Sequence, residues 1–112
     1  MINNDCLRRL RYILDFDDSK MIAVFAQGGQ KVTQAQLSCW LKKEDADNYQ
    51  EFSDISFAAF LNGLINEKRG KRDGPEPEPE QRLNNNMIFT KLKIAFNLKA
   101  EEVLAVLALV DV

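Results

Sequence analysis

Apolar residues recur at helical spacing along almost the whole chain. Leu7, Leu10, Ile13 and Leu14 share one face of a first helix, with Asn3 or Asn4 placed to cap its start. A second helix carries Met21, Ile22, Phe25 and Ala26. Asp17 is a suitable N-cap for it, Phe16 and Met21 have the spacing of a hydrophobic staple, and Gly28-Gly29 ends it. Thr33 and Gln36 have capping-box spacing ahead of a third helix whose inward residues are Leu37, Trp40 and Leu41, with Val32 as the staple partner of Leu37. The fourth helix has the strongest pattern. Phe57, Phe60, Leu61, Leu64 and Ile65 follow i, i+3, i+4, i+7, i+8 behind a Ser53 cap that Phe52 and Phe57 flank. A fifth helix is expected near Asn86–Phe96 and a sixth near Ala100–Leu109. The predicted fold class is all-α.

The pattern also repeats. At an offset of 82 residues, Asn3-Asn4 falls on Asn85-Asn86, and Leu7, Leu10 and Leu14 fall on Phe89, Leu92 and Phe96. Arg9 and Arg11 fall on Lys91 and Lys93, and Met21–Ala26 falls on Val103–Ala108. This predicts a duplicated helical module: a first copy of about four helices over 1–68, a linker over 69–83, and a second copy over 84–112 that carries only the first helical hairpin. Gly70, Gly74, Pro75, Pro77 and Pro79 make the linker a partly extended tether, and its alternating Pro-Glu tract lacks PxxP spacing. The second copy has nothing corresponding to the third and fourth helices. Phe89, Leu92, Phe96, Val103, Leu104 and Leu107 therefore need another cover: the first copy, a second chain or sequence not present here. They form a candidate interaction face.

Composition narrows the chemistry. With 112 residues, 46% hydrophobic and 29% charged, the chain has an ordinary globular make-up. It contains no apolar run of membrane-spanning length, and its start does not read as a secretory signal. Cys6 and Cys39 sit in helical patterns and read as small buried hydrophobes of a reducing compartment, so a cytoplasmic location is expected. The absence of histidine excludes histidine acid–base catalysis, Ser-His triads and histidine metal ligation in this chain. Asp15, Asp17 and Asp18 cluster after the first helix, and Glu44, Asp45 and Asp47 after the third. Neither group has EF-hand spacing, and Asp17 is already used as a cap. Without a phosphate-binding glycine motif or a cysteine-rich metal signature, the expectation is no catalytic residue, no cofactor and no metal site.

A formal charge of −2 supplies no global pull toward nucleic acid. Local basic groups are still present: Arg8, Arg9 and Arg11; Lys68, Arg69, Lys71 and Arg72; and Lys91 and Lys93. Gathered on one face, they would track a phosphate backbone. The second and third helices form a helix–turn–helix-like succession, but the Gln27–Val32 connection is longer than the usual tight turn. The helical spacing places Trp40 and Tyr12 in or near the core rather than on a stacking platform.

Several segments follow one another in a recognisable order: Asn3-Asn4-Asp5, Leu10-Arg11-Tyr12, Trp40-Leu41, Lys43-Glu44-Asp45, Phe60-Leu61-Asn62-Gly63-Leu64-Ile65, Asn84-Asn85-Asn86 and Lys91–Lys99. In these the chain resembles the bacterial YehS-like proteins, a family of unknown function, over essentially its full length. The resemblance implies a tandem all-helical duplication longer than this chain, and it brings no substrate, cofactor or catalytic residue. The leading expectation is a noncatalytic interaction or dimerisation module, with a homo-oligomer or a partner protein and no membrane. The alternatives are a nucleic-acid-binding or regulatory protein and, less well supported, an enzyme with an acidic site.

Overall fold

The protein's structure, a computed structural model, describes residues 2–70 and 78–96, with Arg69 and Phe96 described by backbone alone. Among the described residues there are five helices and no strands: α1 Asn3–Leu14, α2 Asp18–Gln27, α3 Gln34–Leu41, α4 Asp54–Arg69 and α5 Asn85–Phe96. The sixth expected helix and most of the tether lie outside the described residues. No helix among the described residues is long and apolar enough to cross a membrane.

Three helices start where the cap chemistry predicts. Asp17, Thr33 and Ser53 accept the N–H groups of Lys20, Gln36 and Ser56, which satisfies one orphan donor at each start. α1 starts differently. Its N-cap is Ile2, with no side-chain cap bond, so Asn3 and Asn4 lie inside the helix and their side chains reach across the fold instead. α5 is capped by Asn84, whose Oδ1 takes the N–H of Met87 at 2.8 Å. α1 ends at Asp15 in the left-handed region (φ 54°), where the Phe16 N–H returns to the Arg11 carbonyl.

Phe25 sits at the centre of the core. Its ring lies 5.6 Å from Trp40, 5.9 Å from Phe52 and 5.0 Å from Phe60, and Phe52 in turn meets Trp40 and Phe57. Cys6, Leu7 and Leu10 close this cluster from α1. α5 packs along α4 and adds Ile88, Leu92 and Ala95 to the same core.

α2 and α4 cross with their backbones in direct contact at Gly28 and Gly63. A Cβ at Gly28 would overlap the Ala59 carbonyl, and one at Gly63 would overlap the Val24 carbonyl. Beside this crossing α4 grips the end of α2. Asn66 Nδ2 donates to the Gln27 carbonyl at 2.8 Å, and Glu67 receives both Lys20 and the Gln27 side chain. The hydrogen bonds from Lys20 and Gln27 hold the Glu67 carboxyl below its usual range. The Leu83 N–H and Asn3 do the same for Asp54.

Both carboxyls thus bind protons less readily when folded than when unfolded. Their contribution is fully present above the ordinary values of 4.5 and 3.8 and is lost as pH falls through the lower folded values. The thermal midpoint should therefore drop as the solution is acidified below pH 4.5. Glu67→Gln should flatten part of that drop, as followed by circular dichroism melts. An identical pH profile in the variant would remove Glu67 from this account.

Candidate functional site

A groove of about 410 Å³ lies between α4 and α5, with Glu80 of the linker also in its lining. Asn62 and Ile65 come from α4, Asn86, Met87, Thr90, Lys91 and Ile94 from α5, and Glu80 and Asn84 from the segment before α5. Lys91 joins the three parts: its Nζ lies 2.6 Å from Asn62 Oδ1 and 3.0 Å from Glu80 Oε2. Glu80 offsets the lysine charge, so the clasp is close to neutral. Asn62 is only 7% exposed, and its Nδ2 has no hydrogen-bond partner among the described residues. A buried donor left in that state costs about 1–3 kcal/mol. Asn86 and Thr90 are exposed along the lip, and Ile94 is 41% exposed.

A second groove, about 390 Å³, is lined by Arg8, Arg11, Tyr12, Asp15, Phe16 and Leu41. Here the structure corrects the reading of Tyr12, which is 81% exposed, while Trp40 is buried as expected. The reason is rotation. Tyr12 follows the inward Leu10 by two residues, about 200° around the helix. Arg8 donates to the Lys42 carbonyl at 2.8 Å and pairs with Asp5. Arg11 donates to the Phe16 carbonyl and pairs with Asp18 at 2.8 Å.

The nine basic positions are thus used unevenly. Arg8, Arg11 and Lys91 are ion-paired. Arg9, Lys68 and Lys93 are exposed, with the Lys68 ammonium 5.9 Å from the centre of the Phe16 ring. The side chain of Arg69, and Lys71 and Arg72 entirely, lie outside the described residues. Of the expected interaction face, Leu92 is buried in the core and Phe89 is half-buried against it. The Phe96 side chain, Val103, Leu104 and Leu107 lie outside the described residues.

The first acidic cluster resolves into structural parts, while Glu44, Asp45 and Asp47 of the second are exposed. Asp15 ends α1, Asp17 caps α2 and Asp18 pairs with Arg11. Glu44 faces Tyr49, Glu51 and Asp54 around a third hollow beside Asn3 and Asn4. Desolvation, followed by the nearby Glu44 and Glu51 charges, raises the Tyr49 phenol pKa. Among the described residues no group of three or more acidic or cysteine side chains is placed to hold a metal ion. Cys6 and Cys39 are free thiols, and burial pushes Cys6 up to about 11, which keeps it protonated and unreactive at neutral pH.

The strongest polar constellation is centred on Asn4, which is fully buried. Its Nδ2 donates to the carbonyls of Trp40 (2.9 Å) and Gln50 (2.8 Å), while its Oδ1 accepts from the Phe52 N–H (2.9 Å) and the Tyr49 hydroxyl (3.2 Å). One side chain therefore anchors the end of α3 and the chain leading to α4. Asn86, at the same position in α5, is exposed and lines the α4–α5 groove, with no such cover among the described residues. Sequence reasoning singled out Asn4 and Asn86 but passed over Asn62, Glu80 and Thr90. The available signal was Asn62 itself, a carboxamide inside the apolar run Phe60–Ile65.

Comparison with known proteins places the chain. The family described as "Protein of unknown function (DUF1456)" matches residues 3–70. The uncharacterized protein YehS of Escherichia coli strain K12 is 46% identical over 108 residues, a match covering 96% of this chain and 69% of that protein. No solved structure matches. The chain belongs to the DUF1456 family, which includes this YehS-like resemblance.

Proposed function

We propose that this DUF1456 member is a noncatalytic helical interaction module that presents matched surfaces on two related helices. The observation that carries the reading is the pairing of Tyr12 with Ile94. They stand 82 residues apart in sequence, both are exposed large hydrophobics, and each lines a groove beside its helix. α1 and α5 also have the same length and begin and end at that same offset, with Leu10 and Leu92 both buried. These features support a duplication with modules at 1–68 and 84–112 joined by the 69–83 linker. The described carboxylates used as caps, helix ends and clasps are occupied structurally, which favours binding over catalysis.

A second copy of the chain is the first partner to test. Light scattering over a range of concentrations should show association that the double substitution Tyr12→Ser with Ile94→Ser abolishes, without lowering the melting temperature. A chain that stays monomeric at high concentration would remove the homodimer form of the reading. The exposed Tyr12, which lines one groove with Arg8 and Arg11, is the observation favouring nucleic acid as the second reading. It requires binding to single-stranded probes that weakens as salt rises. The ion pairs of both arginines reduce the charge available for phosphate.

A further inference from the structure

We infer that the α4–α5 groove is a docking site for the C-terminal end of a polypeptide helix and the extended chain that follows it, of the kind this protein itself presents at Trp40–Phe52. The inference deepens the interaction reading and rests on it.

The internal precedent is on α1. There, the side chains at positions 4 and 8 bind main-chain oxygens: Asn4 holds the Trp40 and Gln50 carbonyls, and Arg8 holds the Lys42 carbonyl. Trp40 and Lys42 lie at the end of α3, where the last carbonyls of a helix lack intrahelical partners and carry partial negative charge. Moving along the sequence by 82 residues, positions 4 and 8 become Asn86 and Thr90. Both are exposed and both line the groove.

The groove has the chemistry to receive the same kind of guest. Asn86, Thr90 and the ammonium of Lys91 bring hydrogen-bond donors to its lining. Asn62 adds an independent observation: it is 93% buried, as the complement of its 7% exposure, it lines the groove, and its Nδ2 donor has no acceptor among the described residues. Carbonyl oxygens are the acceptors that such a set calls for. Met87, Ile65 and Ile94 supply apolar wall for the side chains of the guest, as Phe25 and Phe57 pack on Phe52 in the core. Glu80 offsets the Lys91 charge, so a bare anion gains less here than a neutral peptide with well-placed carbonyls.

The test uses the whole chain and a synthetic peptide with the sequence of Thr33–Phe52, fluorescently labelled and followed by anisotropy. Saturable one-to-one binding is expected, weakened at least about tenfold by Asn86→Ala with Thr90→Ala, equivalent to about 1.4 kcal/mol. Ile55→Ser, at an exposed position of α4 outside the groove, and a scrambled peptide serve as controls: the first should leave binding unchanged and the second should not bind. Circular dichroism melts of the double variant verify that it is folded, since both positions are exposed. Absence of binding, or binding that the double variant does not weaken, overturns the docking site. If the chain then still self-associates through Tyr12 and Ile94, the interaction reading stands without this groove. If it does neither, both fall.

Discussion

Gly63→Ala should sharply lower the urea midpoint of unfolding, by much more than a substitution at an exposed helical position would. The Cβ of alanine would enter the space of the Val24 carbonyl, and the obstructing atoms belong to backbone rather than to a side chain that can rotate away. Relief requires α2 and α4 to separate, which would loosen Phe25 from Phe60 and break the grip of Asn66 on Gln27. Overpacking of this severity costs about 3–5 kcal/mol, a large part of the roughly 5–15 kcal/mol that holds a small domain together. Gly28→Ala should behave the same way from the opposite side, because its Cβ meets the Ala59 carbonyl. Gly70 provides the contrast. Its Cβ would meet nothing within 4 Å among the described residues, and only its backbone conformation (φ 86°, ψ 156°) opposes alanine, for about 1–3 kcal/mol. Equal urea midpoints for Gly63→Ala and Gly70→Ala would rule out the close crossing.

Asn4→Ala should cost about 3 kcal/mol, whereas Asn86→Ala should stay within about 0.5 kcal/mol of the parent. The first removes the partner of the Trp40 and Gln50 carbonyls and of the buried Phe52 N–H. The second removes an exposed carboxamide. The two residues occupy the same position in helices of equal length, so helix propensity and cap effects nearly cancel in the comparison. What remains is the worth of the covering segment. Asn4→Asp should be no better than alanine, since it places carboxylate oxygen against two carbonyl oxygens. Chemical denaturation of the three variants measures the difference. An Asn86→Ala cost as large as that of Asn4→Ala would show that Asn86 is already engaged, and would count against an open groove.

Asn3 and Asn4 show how far local rules reach. Their position ahead of an apolar helical stripe is that of a cap, and Asp17, Thr33 and Ser53 in similar positions do cap. Asn3 and Asn4 instead reach Phe52, Asp54, Trp40 and Gln50, about fifty residues or fewer along the chain. A carboxamide serves either role, and only the arrival of another segment decides which. The candidate site was less legible for the same reason. Its lining comes from α4, α5 and the end of the linker, three segments whose local patterns carry no information about their mutual placement.

By itself the sequence determined that the described part of this protein is helical, that Asp17, Thr33 and Ser53 start the second, third and fourth helices, and that Leu10, Phe25, Trp40, Phe57, Phe60 and Leu92 point inward. Helical periodicity and capping are local, so residues within a few turns decide them. It also showed the 82-residue echo between the first and fifth helices. The tertiary structure alone decided that Gly63 is a contact point within a helix rather than a weak spot in one, that Tyr12 faces outward and that Leu92 finds its cover on α4. It also left Asn62, on a groove beside the exposed Asn86, with a donor that has no partner among the described residues. These outcomes depend on which surfaces meet and how closely, and close packing makes them sensitive to single atoms that a periodic pattern does not register.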